Sequence, residues 1–365
     1  MGSDPLSDTG PLFVHRSTGD EDYWSVGMGV TWPDWSCLRA ALQSVKDSAS
    51  KRGRNHEKSI DQFKFGGCEA RMAPDGLSMG KPGKGLRMDY VLECDEMVIM
   101  IANRSAPRDT TPNVWITARG RACLVHGGLG CLGLVRDMII RAGGEIEFEI
   151  VSRVDMALDV MSLSTTPFYD AVRERRFITR IKRLKEIEHY TRTLRFGSHP
   201  MSMTIYDKLG EVRAKRDPAL LDLMVARRWH GETPRRAIRI EYRLGRQKLK
   251  EFGVSSPADY YRLRADVAGY LTHKWLRFTS GPVDWRNPSR AEILPEWQVV
   301  ADGFAAWTGQ PSGKVLAPLP PAPVDISQTI RAMHGLLEKV ARDTGRTAIT
   351  FNEHYDWIMN YGLHG

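Results

Sequence analysis

The stretch EIEFEIVSRVDMALDV (residues 145–160) alternates apolar and polar side chains along most of its length. Because successive side chains of a β-strand point to opposite faces, this pattern predicts one long strand. Arg153, Asp155 and Asp159 share one face of it. The opposite face carries four apolar residues, Val154, Met156, Leu158 and Val160. We therefore expect one face of this strand to pack in the core and the other to present charged groups.

The segments on both sides of this strand contain the same kinds of element. Before it come strand-like runs separated by Gly, Pro and Asn, as in antiparallel connections, and then an apolar helix over 121–144. After it come a helix, further strands, a short helix and another strand. This order predicts an α+β fold built from two similar halves.

The chain divides into six predicted segments. After Gly245 its character becomes helical, and the run PSGKVLAPLPPAPVDIS favours an extended linker. The segments are a flexible arm (1–22), a first α+β half (23–160), a second α+β half with the active-site strands (161–245), a helical region (246–310), a Pro-rich linker (311–325) and a C-terminal helix with a cap (326–365).

Composition limits the function classes. The 365 residues include 52 Lys and Arg against 44 Asp and Glu, and the net charge of +8 suits a polyanionic partner. The five cysteines form no CxxC pair, which argues against a zinc ribbon or disulfide framework and favours the cytoplasm. No apolar run approaches the ~18 residues of a membrane span, so no membrane partner is expected. Neither a P-loop nor an H-x-H pair occurs, so we expect no ATPase, helicase or histidine-dependent relaxase.

A second alternating stretch, RRAIRIEYRLG (235–245), carries Arg239, Glu241 and Arg243 on one face. Alternating charges of this kind are common on exposed sheets. If the stretch lies beside the long strand, however, Arg239 and Arg243 could hold phosphates, because guanidinium groups bind them in a bidentate manner.

The same neighbourhood would bring carboxylates together. Asp155 and Asp159 are about 13 Å apart by strand rise, so they cannot hold one ion unaided. Glu241 from the neighbouring strand could complete a site for Mg²⁺ or Mn²⁺ with Asp155, and Asp159 would assist. The alternative is a solvated polar face with an Arg–Asp pair.

A third stretch, MSMTIYDKLGEV (201–212), reads as a strand with Thr204, Tyr206 and Lys208 on one side. A tyrosine has a pKa near 10 and is a poor nucleophile at neutral pH. A divalent metal and a nearby cation such as Lys208 would activate it. Tyr206 is therefore a candidate nucleophile, and the alternative is an ordinary tyrosine that packs in a sheet.

A basic helix is predicted over 165–187. Its cations recur at spacings of three and four and would form one flank suited to a DNA backbone, or else a solvated helix face. The cations are Arg173, Arg176, Arg180 and either Arg183 or Lys182.

Four motifs taken together, SRVDMALDV, LRFGS, TIYDKLGE and RIEYRL, resemble those of the trans-acting rolling-circle replication initiators of small plasmids. Related proteins include relaxases of integrative conjugative elements and initiators of filamentous phages. The resemblance covers about residues 23–280 and depends on the order and spacing of short motifs. It implies a metal-dependent, tyrosine-based DNA nickase, often dimeric. Its expected fold is a saddle-like antiparallel sheet of duplicated halves, with helices on one face and a helical C-terminal extension.

One motif departs from the family pattern. Many relatives carry a tyrosine two residues before the Gly-Ser pair, and Arg195 occupies that position here. Tyr190 is predicted on the same strand, and Tyr206 belongs to the matching Y-D-K motif. We favour Tyr206 as the nucleophile because Lys208 is close to it in sequence.

The predicted function is a rolling-circle initiator that nicks one strand of an origin through a tyrosine–DNA link. Arg153 and Arg195 join the other arginines as predicted DNA contacts. The expected partners are supercoiled or single-stranded DNA, a second copy of the chain and a host helicase. Two alternatives stay open: a catalytically inactive DNA-binding regulator, and a metal nuclease that uses water while Tyr206 is structural.

Overall fold

The predicted α+β class is confirmed by a computed structural model, in which an 11-stranded antiparallel sheet is combined with eight α-helices among the described residues. The structure describes residues 16–54, 62–79, 86–94, 96–180, 184–188 and 192–312. They belong to one compact unit, Met1–Ala317. The predicted arm up to residue 15, and the predicted linker and C-terminal cap from residue 313 onward, lie outside the described residues.

Most strands are short, and two long ones dominate the sheet. The strands are β1 Ser17–Thr31, β2 Gln62–Phe65, β3 Cys68–Met72, β4 Leu77–Met79, β5 Leu86–Met88, β6 Tyr90–Cys94, β7 Met97–Ile101, β8 Val114–Ala118, β9 Glu145–Met161, β10 Phe177–Thr179, β11 Leu184–Glu188, β12 Arg192–Ser198, β13 Met201–Asp207, β14 Ala237–Gly245 and β15 Leu276–Phe278. The helices are α1 Trp35–Arg54, α2 Gly120–Arg141, α3 Thr166–Arg173, α4 Lys208–Ala214, α5 Pro218–Arg227, α6 Arg246–Glu251, α7 Pro257–Tyr270 and α8 Pro295–Thr308.

The long strands β1 and β9 pair at the centre of the sheet, whose order is β11-β12-β13-β14-β9-β1-β8-β7-β6-β3-β2. On each side of this pair, the last strand of a half lies next to its first strand. The remaining strands then follow in reverse order of the sequence. The prediction of two similar halves is therefore confirmed as a repeat of topology.

The apolar face of β9 is buried as predicted, and its four apolar residues, Val154, Met156, Leu158 and Val160, are inaccessible to solvent. Aromatic side chains of α7 and α8 cover this side of the sheet. The rings of Tyr242 and Phe304 lie 5.5 Å apart, and those of Trp24 and Tyr260 lie 5.1 Å apart. Each fully buried apolar side chain of this size stabilises the fold by about 1.5–3 kcal/mol.

Helix α2 matches the predicted apolar helix and is kinked at Gly127, whose φ of 71° is a left-handed conformation. Among the described residues, α2 is the one helix whose length and apolarity would allow it to cross a membrane. Its side chains Cys123, Val135 and Ile139 are buried in the core cluster together with strand residues. Here α2 serves as a core helix.

The predicted basic helix over 165–187 is wrong beyond its first turns. Helix α3 ends at Arg173, and Arg175 has a left-handed φ of 55° that stops it. The following Phe177–Thr179 forms β10 and pairs with β15. The β-branched and aromatic residues of this segment favour a strand, and the pairing partner lies far away in the sequence. In the described part of this segment, up to Arg180, no continuous basic helix flank forms.

The predicted strand over 201–212 is wrong in its second part, because β13 ends at Asp207. The Asp207 carboxylate accepts a hydrogen bond from the Gly210 backbone N–H at 2.9 Å and caps α4. Lys208 is consequently the first residue of a helix rather than a strand residue that alternates with Tyr206.

Two further boundaries differ from the prediction. Strand β1 begins at Ser17, so residues 17–22 belong to the sheet rather than to the arm. The run DQFKFGGCEARM over 61–72 was predicted as one strand-like run, and its described residues form a hairpin of two strands, because Gly66 and Gly67 both adopt positive φ and turn the chain.

Candidate functional site

Strands β9, β14 and β13 pair side by side, so the three stretches singled out in the sequence share one polar face. The conditional prediction that the Glu241 strand lies beside the Asp155 strand is confirmed. Arg239 faces Asp159 and Arg243 faces Asp155 across β14 and β9. On the other side of β14, Tyr206 faces Arg239.

The inner part of this face is a buried ionic centre made of Asp22, Asp159, Arg228 and Arg239. Arg239 donates to Asp159 Oδ2 at 2.9 Å and to Asp22 Oδ2 at 2.8 Å. Arg228 Nη2 lies 3.5 Å from Asp22 Oδ1. The side chains of both arginines are 1% exposed and that of Asp159 is 0% exposed. Charges taken this far from water are tolerated because each has an opposite charge beside it.

The ionisation of this centre follows from its pairs. Burial opposes the charged form of Asp22, but Arg239 and Arg228 outweigh that effect and lower its pKa to about 2. Burial likewise opposes the charge on Asp159, and Arg239 more than offsets it, so the Asp159 pKa is also lowered. Burial opposes the charge on Arg239, but Asp159 and Asp22 outweigh it and raise the Arg239 pKa, so this arginine remains charged.

This centre corrects two predicted roles. Both carboxylate oxygens of Asp159 accept from Arg239 and its side chain is fully buried, so Asp159 serves as the partner of that arginine. Arg239 is buried in the same pairs and cannot reach a phosphate in this conformation. Sequence reasoning missed Asp22 and Arg228. The acidic run Asp20–Asp22 was a signal for the first, and the sequence offered none for the second.

The predicted carboxylate set does not fit a divalent metal. Arg153 binds Asp155 through both guanidinium Nε and Nη2, with the Nε–Oδ1 distance at 2.7 Å. Among the described residues, no group of three or more Asp, Glu, His or Cys side chains is placed to hold a metal ion. The reason is that arginines of the same face pair with the aspartates that Mg²⁺ or Mn²⁺ would need.

Tyr206 and Glu241 form a dyad next to the buried ionic centre. The Tyr206 hydroxyl donates to Glu241 Oε2 at 3.3 Å, and both side chains are partly exposed. Burial raises the pKa of Glu241, and Asp22 and Asp155 raise it further. Burial also raises the pKa of Tyr206 well above 10, and Arg239 offsets this only in part. The tyrosine is therefore a neutral phenol beside a carboxylate that takes up protons more readily than usual.

Lys208 approaches this dyad from the start of α4. Its Nζ lies 5.8 Å from the centre of the Tyr206 ring and 2.7 Å from Glu211 Oε2. Burial lowers the Lys208 pKa, with a contribution from Arg239, although Glu211 counteracts both. Tyr206 and Lys208 are thus brought together as predicted, but the ammonium group is paired with Glu211.

The outer part of the polar face opens into an arginine pocket of about 350 Å³, named for Arg153, Arg195 and Arg243, which line it. These three residues come from β9, β12 and β14. Arg243 connects the pocket to the dyad, since its Nη2 lies 4.0 Å from Glu241 Oε1. Three predicted DNA contacts therefore meet at one place.

The remaining predicted contacts lie elsewhere. Arg176 pairs with Glu174 at 2.6 Å and donates to the carbonyl of Thr279 at 3.1 Å. Arg180 is exposed just after β10. Their contact with DNA stays a prediction. Arg183, Lys182 and Tyr190 lie outside the described residues.

Comparison with solved structures finds a likeness to a protein of DNA replication. No family model matches the chain, and no curated protein matches it. The chain is similar to the solved rolling circle replication initiator protein from Geobacillus stearothermophilus, with 12% identity and a TM-score of 0.44 over 80% of this chain and 98% of that one. At these values the likeness identifies neither the family nor the function of the chain.

Proposed function

We propose that the protein initiates rolling-circle DNA replication by cutting one DNA strand with Tyr206. The observation that carries this proposal is the hydrogen bond from the Tyr206 hydroxyl to Glu241, on the polar sheet face beside the arginine pocket. The motifs that resemble those of the initiators lie on the strands that build this face. A nucleophile, a base and phosphate-binding cations are the parts that phosphodiester cleavage needs.

The reaction follows from the dyad. Glu241 takes the proton of the Tyr206 hydroxyl while the phenolic oxygen attacks the phosphorus of a phosphodiester. The bond from phosphorus to the 3′-oxygen breaks, and that oxygen takes a proton from water. The products are a 5′-phosphotyrosyl link and a free 3′-OH that can prime synthesis. Because the raised pKa of Glu241 makes it a stronger base than an ordinary carboxylate, it suits this role.

The positive charges around the dyad support the same chemistry. Arg243 is 45% exposed and lies between the dyad and the arginine pocket, so it can contact the phosphate under attack. Arg153 and Arg195 would hold the neighbouring backbone. Lys208 would contribute a positive field at the phenol ring from 5.8 Å. Such preorganised charges stabilise the negative charge that develops on the phosphoryl oxygens.

A requirement for Mg²⁺ or Mn²⁺, which the motif resemblance implies, stays a prediction. The reaction described above uses protein groups alone, because Asp155 is paired with Arg153 and Asp159 with Arg239. A homodimer, a recruited host helicase and a cytoplasmic location also belong to this proposal, as they would for an initiator acting on a plasmid or another mobile element.

A second candidate is a regulator that binds DNA without cutting it. The observation in its favour is the electrostatic state of the dyad. The pKa of Tyr206 is raised rather than lowered, and the nearest lysine is paired with Glu211. A phenol in this state is a weak nucleophile unless bound DNA rearranges its surroundings.

A covalent-adduct assay separates these functions. The full chain is mixed with supercoiled DNA of its own element, with Mg²⁺, Mn²⁺ or EDTA, and any peptide linked to DNA is mapped. We expect an adduct on Tyr206 that is absent in Tyr206→Phe and retained in Tyr270→Phe, a partly exposed tyrosine on α7.

Three other outcomes would change the proposal. An adduct on Tyr190 would keep the function and move the nucleophile. Nicking with free 5′-phosphate ends and no adduct would indicate the hydrolytic nuclease. Specific DNA binding with no nicking under any of the three conditions would leave the regulator.

A further inference from the structure

The arginine pocket has the composition of an anion site. Its lining comes from five neighbouring strands, β12, β13, β14, β9 and β1, and from the turn at His199 and Pro200. Its polar residues include Tyr23, Arg153, Arg195, His199, Ser202 and Arg243. No carboxylate is among the described residues that line it.

The strand register explains why the cations converge. Arg195 faces Thr204, Ser202 faces Arg243, and Arg243 faces Asp155 on successive strands. Neighbouring strands lie about 4.8 Å apart, and side chains opposite each other share a face. Arg153 precedes Asp155 by two residues and therefore points to the same side. The arginines on β12, β14 and β9 thus surround one small volume.

Arg153 is held in place before any ligand arrives. Two of its nitrogens bind Asp155, which is buried, and its guanidinium lies 3.9 Å from the centre of the Tyr23 ring. These contacts fix the plane of the guanidinium group. Its Nη1 has no hydrogen-bond acceptor among the described residues and remains available to the pocket. A donor fixed in this way loses little conformational entropy on binding.

The positive charge of the pocket is not balanced locally. Arg243 lies 3.5 Å from Asp155 and 4.0 Å from Glu241, too far for a good hydrogen bond to either. Arg195 has no acidic partner among the described residues. Arg246, also in the lining, donates to the carbonyl of Val151 at 3.0 Å and has a structural role. The four guanidinium groups of the lining still outnumber the two nearby carboxylates, Asp155 and Glu241, so an anion would relieve their repulsion.

We infer that the arginine pocket binds the phosphate of one unpaired deoxynucleotide, next to the phosphodiester that Tyr206 attacks. A volume of about 350 Å³ has room for one nucleotide but not for a duplex. Arg195 and Arg243 would donate to the phosphate. The inference rests on the proposed function for the identity of this nucleotide as DNA.

Isothermal titration calorimetry on the full chain tests the pocket. The ligands are a short oligodeoxythymidylate with a 5′-phosphate, the same oligomer without it, thymidine monophosphate and inorganic phosphate. We expect the 5′-phosphate to strengthen oligomer binding and thymidine monophosphate to compete for the site. Binding of the free mononucleotide as tightly as the oligomer would instead assign the pocket to free nucleotides. Equal affinity with and without the 5′-phosphate would overturn the inference.

Arginine variants inside and outside the pocket show which side chains bind the 5′-phosphate. Arg195→Ala and Arg243→Ala should each weaken binding of the phosphorylated oligomer by about 10-fold, which corresponds to the loss of a charged hydrogen bond. Arg262→Ala, an exposed arginine on α7 outside the pocket, should change it by less than about 2-fold. Arg195→Lys keeps the charge and should recover part of the affinity. An equal loss in all four variants would contradict a specific site.

The experiments can reject the phosphate-binding site and the nicking activity independently of each other. Tyr206→Phe should bind the oligomer normally and form no adduct. If binding depends on the 5′-phosphate and on Arg195 but no adduct ever forms, the phosphate site is supported and the nicking activity is rejected. If an adduct forms but Arg195→Ala leaves the affinity for the oligomer unchanged, the nicking activity is supported and the phosphate site is rejected.

Discussion

The buried ionic centre and the arginine pocket lie on the same face of the same strands and use the same residue types, yet they have opposite characters. In the centre, Arg239 is 1% exposed and is held by two carboxylates. In the pocket, Arg243, four residues further along the same strand, is 45% exposed and makes only long ion pairs, at 3.5 Å to Asp155 and 4.0 Å to Glu241. Burial thus makes one arginine structural and leaves the other available for a ligand. An R-x-E-x-R strand does not by itself say which arginine does which.

The largest expected effect is the loss of stability when the buried arginine, rather than the exposed one, is replaced. Arg239→Met leaves Asp22 and Asp159 buried with less compensation and should lower the free energy of unfolding by about 3–5 kcal/mol. Arg243→Met removes an exposed group and should change it by less than about 1 kcal/mol. Urea denaturation of both variants measures the difference. Equal destabilisation of the two would remove the distinction between the regions.

The dyad that joins the two regions predicts a large effect on rate. Glu241→Gln cannot accept the Tyr206 proton and should slow adduct formation by about 100- to 10,000-fold. In the native protein, the rate should rise with pH through the Glu241 pKa, which burial places above 4.5. Quenched-time-course gels give the rates. Glu251→Gln, outside the site on α6, serves as the control and should behave as the native chain. A pH profile unchanged in Glu241→Gln would exclude this base.

Lowering the pH should remove stability that the buried ionic centre contributes, and this sets the centre apart from the arginine pocket. Asp22 has a folded-state pKa of about 2 against an ordinary 3.8, so its ionised form stabilises the fold above pH 4. That contribution, about 2 kcal/mol, is lost as the pH falls through about 2. Asp22→Asn should therefore show a flatter dependence of unfolding free energy on pH between 5 and 2.

Asp155, which pairs with Arg153 of the arginine pocket, provides the control for that titration. Burial raises the pKa of Asp155, although Arg153 opposes the shift, so its ionisation does not add acid-sensitive stability of this kind. Because a raised folded-state pKa makes folding more favourable as the pH falls, Asp155→Asn should leave the loss of stability in acid as steep as in the native chain or steeper. A native slope in Asp22→Asn, or a flattened one in Asp155→Asn, would contradict the assignment.

The smallest expected effect is on the salt dependence of DNA binding. Each phosphate contact contributes a slope of about one when the logarithm of the binding constant is plotted against that of the salt concentration. Arg243→Ala should reduce the slope by about one. Lys250→Ala, an exposed lysine of α6, should leave it unchanged. Fluorescence anisotropy at several salt concentrations provides the measurement, and an unaltered slope in Arg243→Ala would place this arginine away from the DNA backbone.

Much of the sheet was predictable because its signal is local. The alternation over 145–160 identifies β9 and the face it buries, and the alternation over 235–245 does the same for β14. Asp217 and Pro218 mark the start of α5 as they do in isolated helices. The basic segment after Arg173 was misjudged, because its helical spacing competes with a strand whose partner, β15, lies about a hundred residues away.

Sequence alone determined the fold class and the polar faces of the strands, and it singled out Tyr206, Lys208, Asp155 and Glu241, because strand periodicity and short motifs are properties of neighbouring residues. The pairing of β9, β14 and β13 is what brings these residues together. The tertiary structure decided which of these groups are free. It inserted Asp22 from β1 and Arg228 from the end of α5 beside Asp159 and Arg239, and so formed an ionic centre where a metal was expected. It also gathered arginines from three strands around one pocket. Pairing and burial depend on which distant segments meet, and local sequence does not record that.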